Sequence, residues 1–190
     1  MSKSLLKEEL FSYCNSDSIS EDGLRYIIIE RHGLTLSIKM SSFHLGLYEF
    51  FHAACSNQRV NEGIIQCLIE HFPVAASSTR DDGGLPLHVA LQNPNMTLNI
   101  IQLLVDAAPA SVRCQDNYGC MPLHHLCMKN KVDDAAALEI LKVLIERHPE
   151  AVRRAENGGE LPIHLAAKTL TAEFCRVLRA SGDLLSFAVC

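Results

Sequence analysis

No stretch of the chain approaches the roughly 20 consecutive apolar residues that a membrane-spanning helix requires. The first ten residues interrupt their apolar positions with Lys3, Lys7, Glu8 and Glu9 before a signal-peptide core could form. The last residue is Cys190, whereas a prenylation box needs its cysteine fourth from the end. These absences predict an intracellular protein, cytoplasmic by default. Charge of one sign is also lacking: 17 basic residues face 22 acidic ones, for a formal net charge of -5, which argues against a polycation for nucleic acid and against charge-driven disorder. The chain has no Walker loop, no Gly-x-Ser-x-Gly and no His-Glu-x-x-His, so the commonest signatures of nucleotide hydrolysis, serine acyl transfer and zinc proteolysis are missing. Cysteine is not scarce, at eight residues, but pairs at short spacing are. The thiols are read as reduced, with most in slots that also take Leu or Ala.

What is present is a phrase used three times: Leu85-Pro86-Leu87-His88-Val89-Ala90, Met121-Pro122-Leu123-His124-His125-Leu126 and Leu161-Pro162-Ile163-His164-Leu165-Ala166. Gly83, Gly119 and Gly159 stand three residues before the prolines, and Pro73, Pro109 and Pro149 stand thirteen before. Features recurring in register mark a solenoid of stacked units. The glycine supplies a turn that other residues resist. The proline suits the first helical position, where a missing N–H costs nothing. Leu87, Ala90 and Leu91 recur as Leu123, Leu126 and Cys127 and as Ile163, Ala166 and Ala167, a buried stripe for a first helix. Ile100, Ile101, Leu103, Leu104 and Val105 recur as Ile140, Leu141, Val143, Leu144 and Ile145 for a second.

The same ruler extends backwards. Ile29-Glu30-Arg31-His32-Gly33 aligns with Ile69-Glu70-His71-Phe72-Pro73. It predicts a first helix over Ser4 to Tyr13 and a second opened by the capping box Ser18-Ile19-Ser20-Glu21 and closed by Gly33. Leu34 to Tyr48 reads as a short extended finger. His52 keeps the register without the proline, and Phe50 and Phe51 fill the core there. The later prolines are read as stopping the second helices by steric means.

The Pro-Leu-His core resembles the ankyrin repeat, whose hallmark is Thr-Pro-Leu-His-x-Ala in a unit of about 33 residues. The resemblance implies an all-α solenoid of helix-turn-helix repeats with short turn fingers. It is divided here into five units at 1–48, 49–79, 80–115, 116–155 and 156–190. Leu85, Met121 and Leu161 replace the family's threonine, so the histidines are expected to bond neighbouring backbone rather than a local hydroxyl. The resemblance further implies a non-enzymatic module that binds a partner protein on its concave surface, as a monomer, with no cofactor, nucleic acid or membrane. Its contacts would be Asp81, Asp82 and Gln92; Asn117, Tyr118, Met128 and Lys129; and Asn157, Glu160 and Lys168. Tyr118 and Met128 are the large apolar members and centre the expected site on the fourth unit.

Two alternatives stay open. Cys114, Cys120, His124, His125 and Cys127 cluster in sequence, which suits a cysteine-based metal or redox regulator. Against it, His124 is the repeat histidine and Cys127 takes the slot of Leu91, so no metal is expected; Cys120, on a turn read as exposed, is the thiol to watch. The second alternative is a structural spacer or a fragment of a longer array: the degenerate first unit and polar Thr171, Glu173, Arg176 and Arg179 on the last helix oppose the spacer, and the apolar Leu184, Leu185, Phe187 and Val189 favour the fragment.

Overall fold

Proline, glycine and the residues beside them set the period of the molecule. The computed structural model describes residues 3–33, 48–128 and 134–187, which are all-helical with no strand among them. The expected finger over Leu34 to Tyr48 lies, up to residue 47, outside the described residues, as do Lys129 and Val189. Helices come in pairs: α1 (Lys3–Cys14) with α2 (Glu21–Arg25), which continues as a π-helical stretch over Tyr26–Arg31; α3 (Glu49–Ser56) with α4 (Glu62–His71); α5 (Pro86–Gln92) with α6 (Leu98–Ala107); α7 (Pro122–Cys127) with α8 (Asp134–Arg147); and α9 (Pro162–Thr169) with α10 (Ala172–Phe187). First helices stack on first helices, α1 on α3 on α5 on α7 on α9. Second helices stack likewise, α2 on α4 on α6 on α8 on α10. One hydrophobic core runs continuously between the two rows, as a solenoid whose units cannot bury their apolar faces alone requires.

The helix starts follow local chemistry. Ser20, Asn61 and Thr97 accept N–H bonds from Gly23, Ile64 and Ile100 with their side chains, each replacing a partner the first turn lacks. The cap of α2 is therefore Ser20 and not Ser18, whose hydroxyl meets that of Ser16 at 2.9 Å. Pro86, Pro122 and Pro162 take the first helical position. The prolines after the second helices do more than stop them. Helices α4, α6 and α8 end before Phe72, Ala108 and His148, and Pro73, Pro109 and Pro149 each open a 3-10 turn, over Pro73–Ser77, Pro109–Arg113 and Pro149–Arg153.

The expected stripes are buried. Leu87, Leu91, Ile100, Ile101, Leu104, Leu123, Ile140, Leu141 and Leu144 are each at most 2% exposed, and burying one such side chain contributes about 1.5–3 kcal/mol. Leu103 and Ile145 pack at the margin of the core, Val143 is half-buried, and Ala167, placed in the stripe by register, is exposed. Phe50 and Phe51 are buried, and the Phe50 ring meets that of Phe72 edge-on at 5.0 Å.

Two ladders of polar side chains tie one pair to the next. Nδ1 of His88, His124 and His164 accepts the backbone N–H three residues earlier, from Leu85, Met121 and Leu161. Nε2 of His88 then meets the carbonyl of Cys114 at 3.2 Å, and that of His124 the carbonyl of Arg154 at 2.9 Å. The ring thus does the local work of the missing threonine hydroxyl and also reaches the next turn. Burial, foremost, pushes the His88 imidazole down to about 4. The second ladder was not legible beforehand: the Asn57 amide donates to the carbonyls of Cys14 and Ser16, and the Asn93 amide to those of Cys55 and Asn57.

Candidate functional site

Each turn before a Pro-Leu-His helix is a tight hairpin closed by two backbone bonds. They are Arg80 N–H to Gly84 O and Gly83 N–H to Arg80 O, then the equivalent pairs between Asp116 and Cys120 or Gly119 and between Glu156 and Glu160 or Gly159. Gly83, Gly119 and Gly159 sit at φ of 77°, 77° and 84°, the left-handed conformation such a turn requires at that position. A carboxylate locks the fourth turn further: Asp116 Oδ1 accepts the N–H groups of Tyr118 and Cys120, both at 2.9 Å. Glu156 does the same for Gly158 and Glu160. In the third turn that register position is Arg80, and Asp82 accepts from Gly84 instead.

The turns are joined edge to edge. Asn117 N–H donates to Asp82 O, and its side-chain amide to Asp81 O, each at 2.9 Å. Asn157 N–H donates to Tyr118 O at 3.0 Å and its amide to Asn117 O at 3.1 Å. The side chains of Asn117 and Asn157, both named as contact residues by register, are therefore engaged in holding the row of tips in line. Asp82 lies 3.4 Å from Arg80, and Glu160 is paired with Lys168. Asp81 is exposed, as are Gln92 and Lys168 at the ends of their first helices. Tyr118 is 64% exposed and Met128 37%, among the large apolar side chains left in solvent. Lys129 lies outside the described residues.

Side chains of α5, of the turn at Asp116 and of α7 meet in a chain. The Gln92 amide lies 2.7 Å from His125 Nδ1, and His125 Nε2 lies 2.8 Å from Asp116 Oδ2. The His125 ring also packs edge-on against that of His88 at 5.0 Å. The bonds to His125, Tyr118 and Cys120 hold the Asp116 carboxyl below its ordinary value against the opposing effect of its burial. Cys120 Sγ completes a group with the ligand atoms of Asp116 and His125, all within 4.8 Å of one another. Cys120 is not the exposed thiol of the turn. It is 6% exposed, and burial first, then the carboxylates of Asp116 and Glu156, push it up to about 11, which leaves it protonated and a poor nucleophile at neutral pH. The five residues grouped by sequence do not assemble: Cys127 is buried in the core, and His124 has both ring nitrogens on backbone groups. None of the seven cysteines among the described residues is in a disulfide.

The feature missed by sequence is a groove of about 540 Å³ beside α1 and α3, lined by Phe11, Glu49, His52, Ser56, Thr79 and Asp81 among others. Its cause is legible in register. Ala53 and Ser56 stand 36 residues before Val89 and Gln92, and the smaller side chains leave the hollow. Comparing the units position by position, rather than for shared residues, would have located it.

No helix among the described residues is long and apolar enough to cross a membrane. No curated protein matches the chain. A family model for ankyrin repeats, in three copies, matches residues 87–186, from within α5 to within α10. With its stacked helix pairs and left-handed turn glycines, the chain belongs to the ankyrin-repeat family.

Proposed function

We propose that this chain is a non-enzymatic module that binds another protein across the row of turn tips and the exposed ends of its first helices, centred on Tyr118 and Met128. Ankyrin repeats generally serve as protein-interaction modules and are typically non-enzymatic. The observation that carries the reading is the exposure of Tyr118 and Met128. Both are large and apolar, and neither belongs to the core. Such residues anchor interfaces when a partner covers them. The five-unit division is part of this reading, because it makes Asp82, Tyr118 and Gly158 one row of tips and Gln92, Met128 and Lys168 a second row beside it. The groove at Phe11 and Asp81 extends the first row toward the N-terminus.

The test compares capture of partner proteins by the wild-type chain and by Tyr118→Ala with Met128→Ala. Losing an aromatic anchor weakens binding by about 2 kcal/mol or more, while truncating exposed residues changes stability by less than about 0.5 kcal/mol. The expected result is reduced capture at an unchanged melting temperature. Unchanged capture with earlier melting would make both residues structural.

A further inference from the structure

The sequence cluster of cysteines and histidines did not assemble, but a different group did, and it contains a residue the cluster lacked. Among the described residues, Asp116, Cys120 and His125 bring one oxygen, one sulfur and one nitrogen ligand atom within 4.8 Å of one another. We propose that these three side chains form a binding site for a borderline divalent cation, zinc foremost, at the base of the fourth turn. The mixed donor set suits such a metal, and a water molecule in the fourth position would complete a tetrahedron.

The surroundings supply what a ligand set needs. The three residues lie on one turn and the helix that follows it, so the backbone bonds of the turn hold them before any metal arrives. Asp116 Oδ1 is fixed by the N–H groups of Tyr118 and Cys120, which leaves Oδ2 for the cation. The side chains of Asp116 and His125 are only 5% and 10% exposed, so few waters compete. Gln92 sits 2.7 Å from His125 Nδ1. With its amide turned end for end, Oε1 accepts the Nδ1–H and directs the Nε2 lone pair at the site, the way an outer partner orients a ligating imidazole.

Without metal the same atoms form a closed hydrogen-bonded pair. His125 Nε2 and Asp116 Oδ2 are 2.8 Å apart, and ligands at zinc distances sit about 3.3–3.6 Å apart. Binding therefore opens this edge by about 0.5–0.8 Å and replaces the shared proton with the cation. For the neutral ring that donates from Nε2 to Asp116, the step balances: the carboxylate stays ionised, the His125 proton moves from Nε2 to Nδ1, and Cys120 gives up its thiol proton as the metal–sulfur bond forms. One proton leaves to solvent per cation bound, and affinity rises with pH across the neutral range. No oxidant or reductant is involved. The proposal revises the metal-free expectation for one of the eight cysteines and does not depend on partner binding.

The test is titration of Co²⁺ into the full, reduced, tag-free chain, followed by displacement with Zn²⁺. The expected result is thiolate-to-cobalt charge-transfer absorption with tetrahedral d–d bands, saturating at one equivalent and discharged by zinc. Cys120→Ser abolishes the charge-transfer band, whereas Cys114→Ser retains it. His125→Gln weakens binding by more than about tenfold, and Gln92→Ala, acting through the orientation of His125, by about tenfold. Helical circular dichroism confirms that each variant is folded. If Cys120→Ser does not fold, the His125→Gln and Cys114→Ser arms decide. A wild-type chain that gives no thiolate band, or a band retained in His125→Gln at full strength or lost in Cys114→Ser, overturns the proposal.

Discussion

The second helix pair and the third and fourth solve the same stacking problem with different residues. In the third and fourth, the histidine accepts a backbone N–H with one ring nitrogen and approaches a carbonyl of the next turn with the other. A neutral imidazole, with one acceptor and one N–H, satisfies both. His52 faces two carbonyls instead, Tyr48 O at 3.4 Å and Gly84 O at 3.2 Å, and a neutral ring donates to only one. The aromatic packing of Phe50 on Phe72 stands where the proline-led cap is missing. His164 keeps the local bond, but its ring is exposed. The comparison teaches that the unit is defined by a bond between neighbouring turns and by a filled core volume, and that the residue supplying either is exchangeable.

Core truncation gives the largest expected effect and tests whether the two regions are one cooperative core. Phe51→Ala is expected to cost about 3–5 kcal/mol, and Leu104→Ala or Leu144→Ala about 2–5 kcal/mol, since all three are fully buried. Denaturant unfolding measures this, and a midpoint unchanged by any of them would contradict the packing.

The turn glycines come next. Gly119 and Gly159 share the left-handed conformation, but an added Cβ at Gly119 would sit 2.9 Å from the backbone nitrogen of Asn157, whereas at Gly159 nothing lies within 4 Å. Gly159→Ala is expected to cost about 1–2 kcal/mol from conformation alone, and Gly119→Ala more, because the clasp between turns must shift. Equal melting temperatures for the two variants would remove the clasp from the explanation.

How much of this was legible depended on whether a position repeats by identity or by role. Pro86, Pro122 and Pro162 and the three turn glycines announce themselves, and with them the fold. Asn57 and Asn93, 36 residues apart, carry the ladder at the helix ends, yet asparagine in a loop is too common for two copies to mark a repeat. The positions of the candidate contact residues are half legible. Tyr118 and Met128 fall where register put them, in solvent. Asn117 and Asn157 were placed correctly on the tips, but their amides engage the preceding turn, a contact that one unit read alone does not reveal. The role of Asp116 is not legible in the sequence, because its closest partner, His125, lies nine residues on, beyond the turn it caps.

The histidines sharpen the comparison by titration. Burial lowers both His52 and His88 from the ordinary 6.5, and His88 to about 4. Protonating His88 destroys a bond from Leu85 N–H, whereas protonating His52 adds a donor facing Tyr48 O, so His52 is expected to titrate at the higher pH of the two. Because both folded values lie below the unfolded one, the unfolded chain binds more protons as pH falls. Stability is then full above about 6.5 and is lost as pH drops toward each folded value. Imidazole NMR shifts against pH check the order, and a His88 ring titrating above His52 would reverse the comparison.

The claim that the turn tips and first-helix ends form the binding face is tested most directly by amide hydrogen exchange with and without the protein that the wild-type chain captures and the Tyr118, Met128 variant does not. Exchange reads local protection along the whole chain in one experiment. The expected result is added protection at residues 81–92 and 116–128, with α4, α6 and α8 unchanged. Added protection confined to α4, α6 and α8 would put the partner on the opposite face and contradict the proposed function.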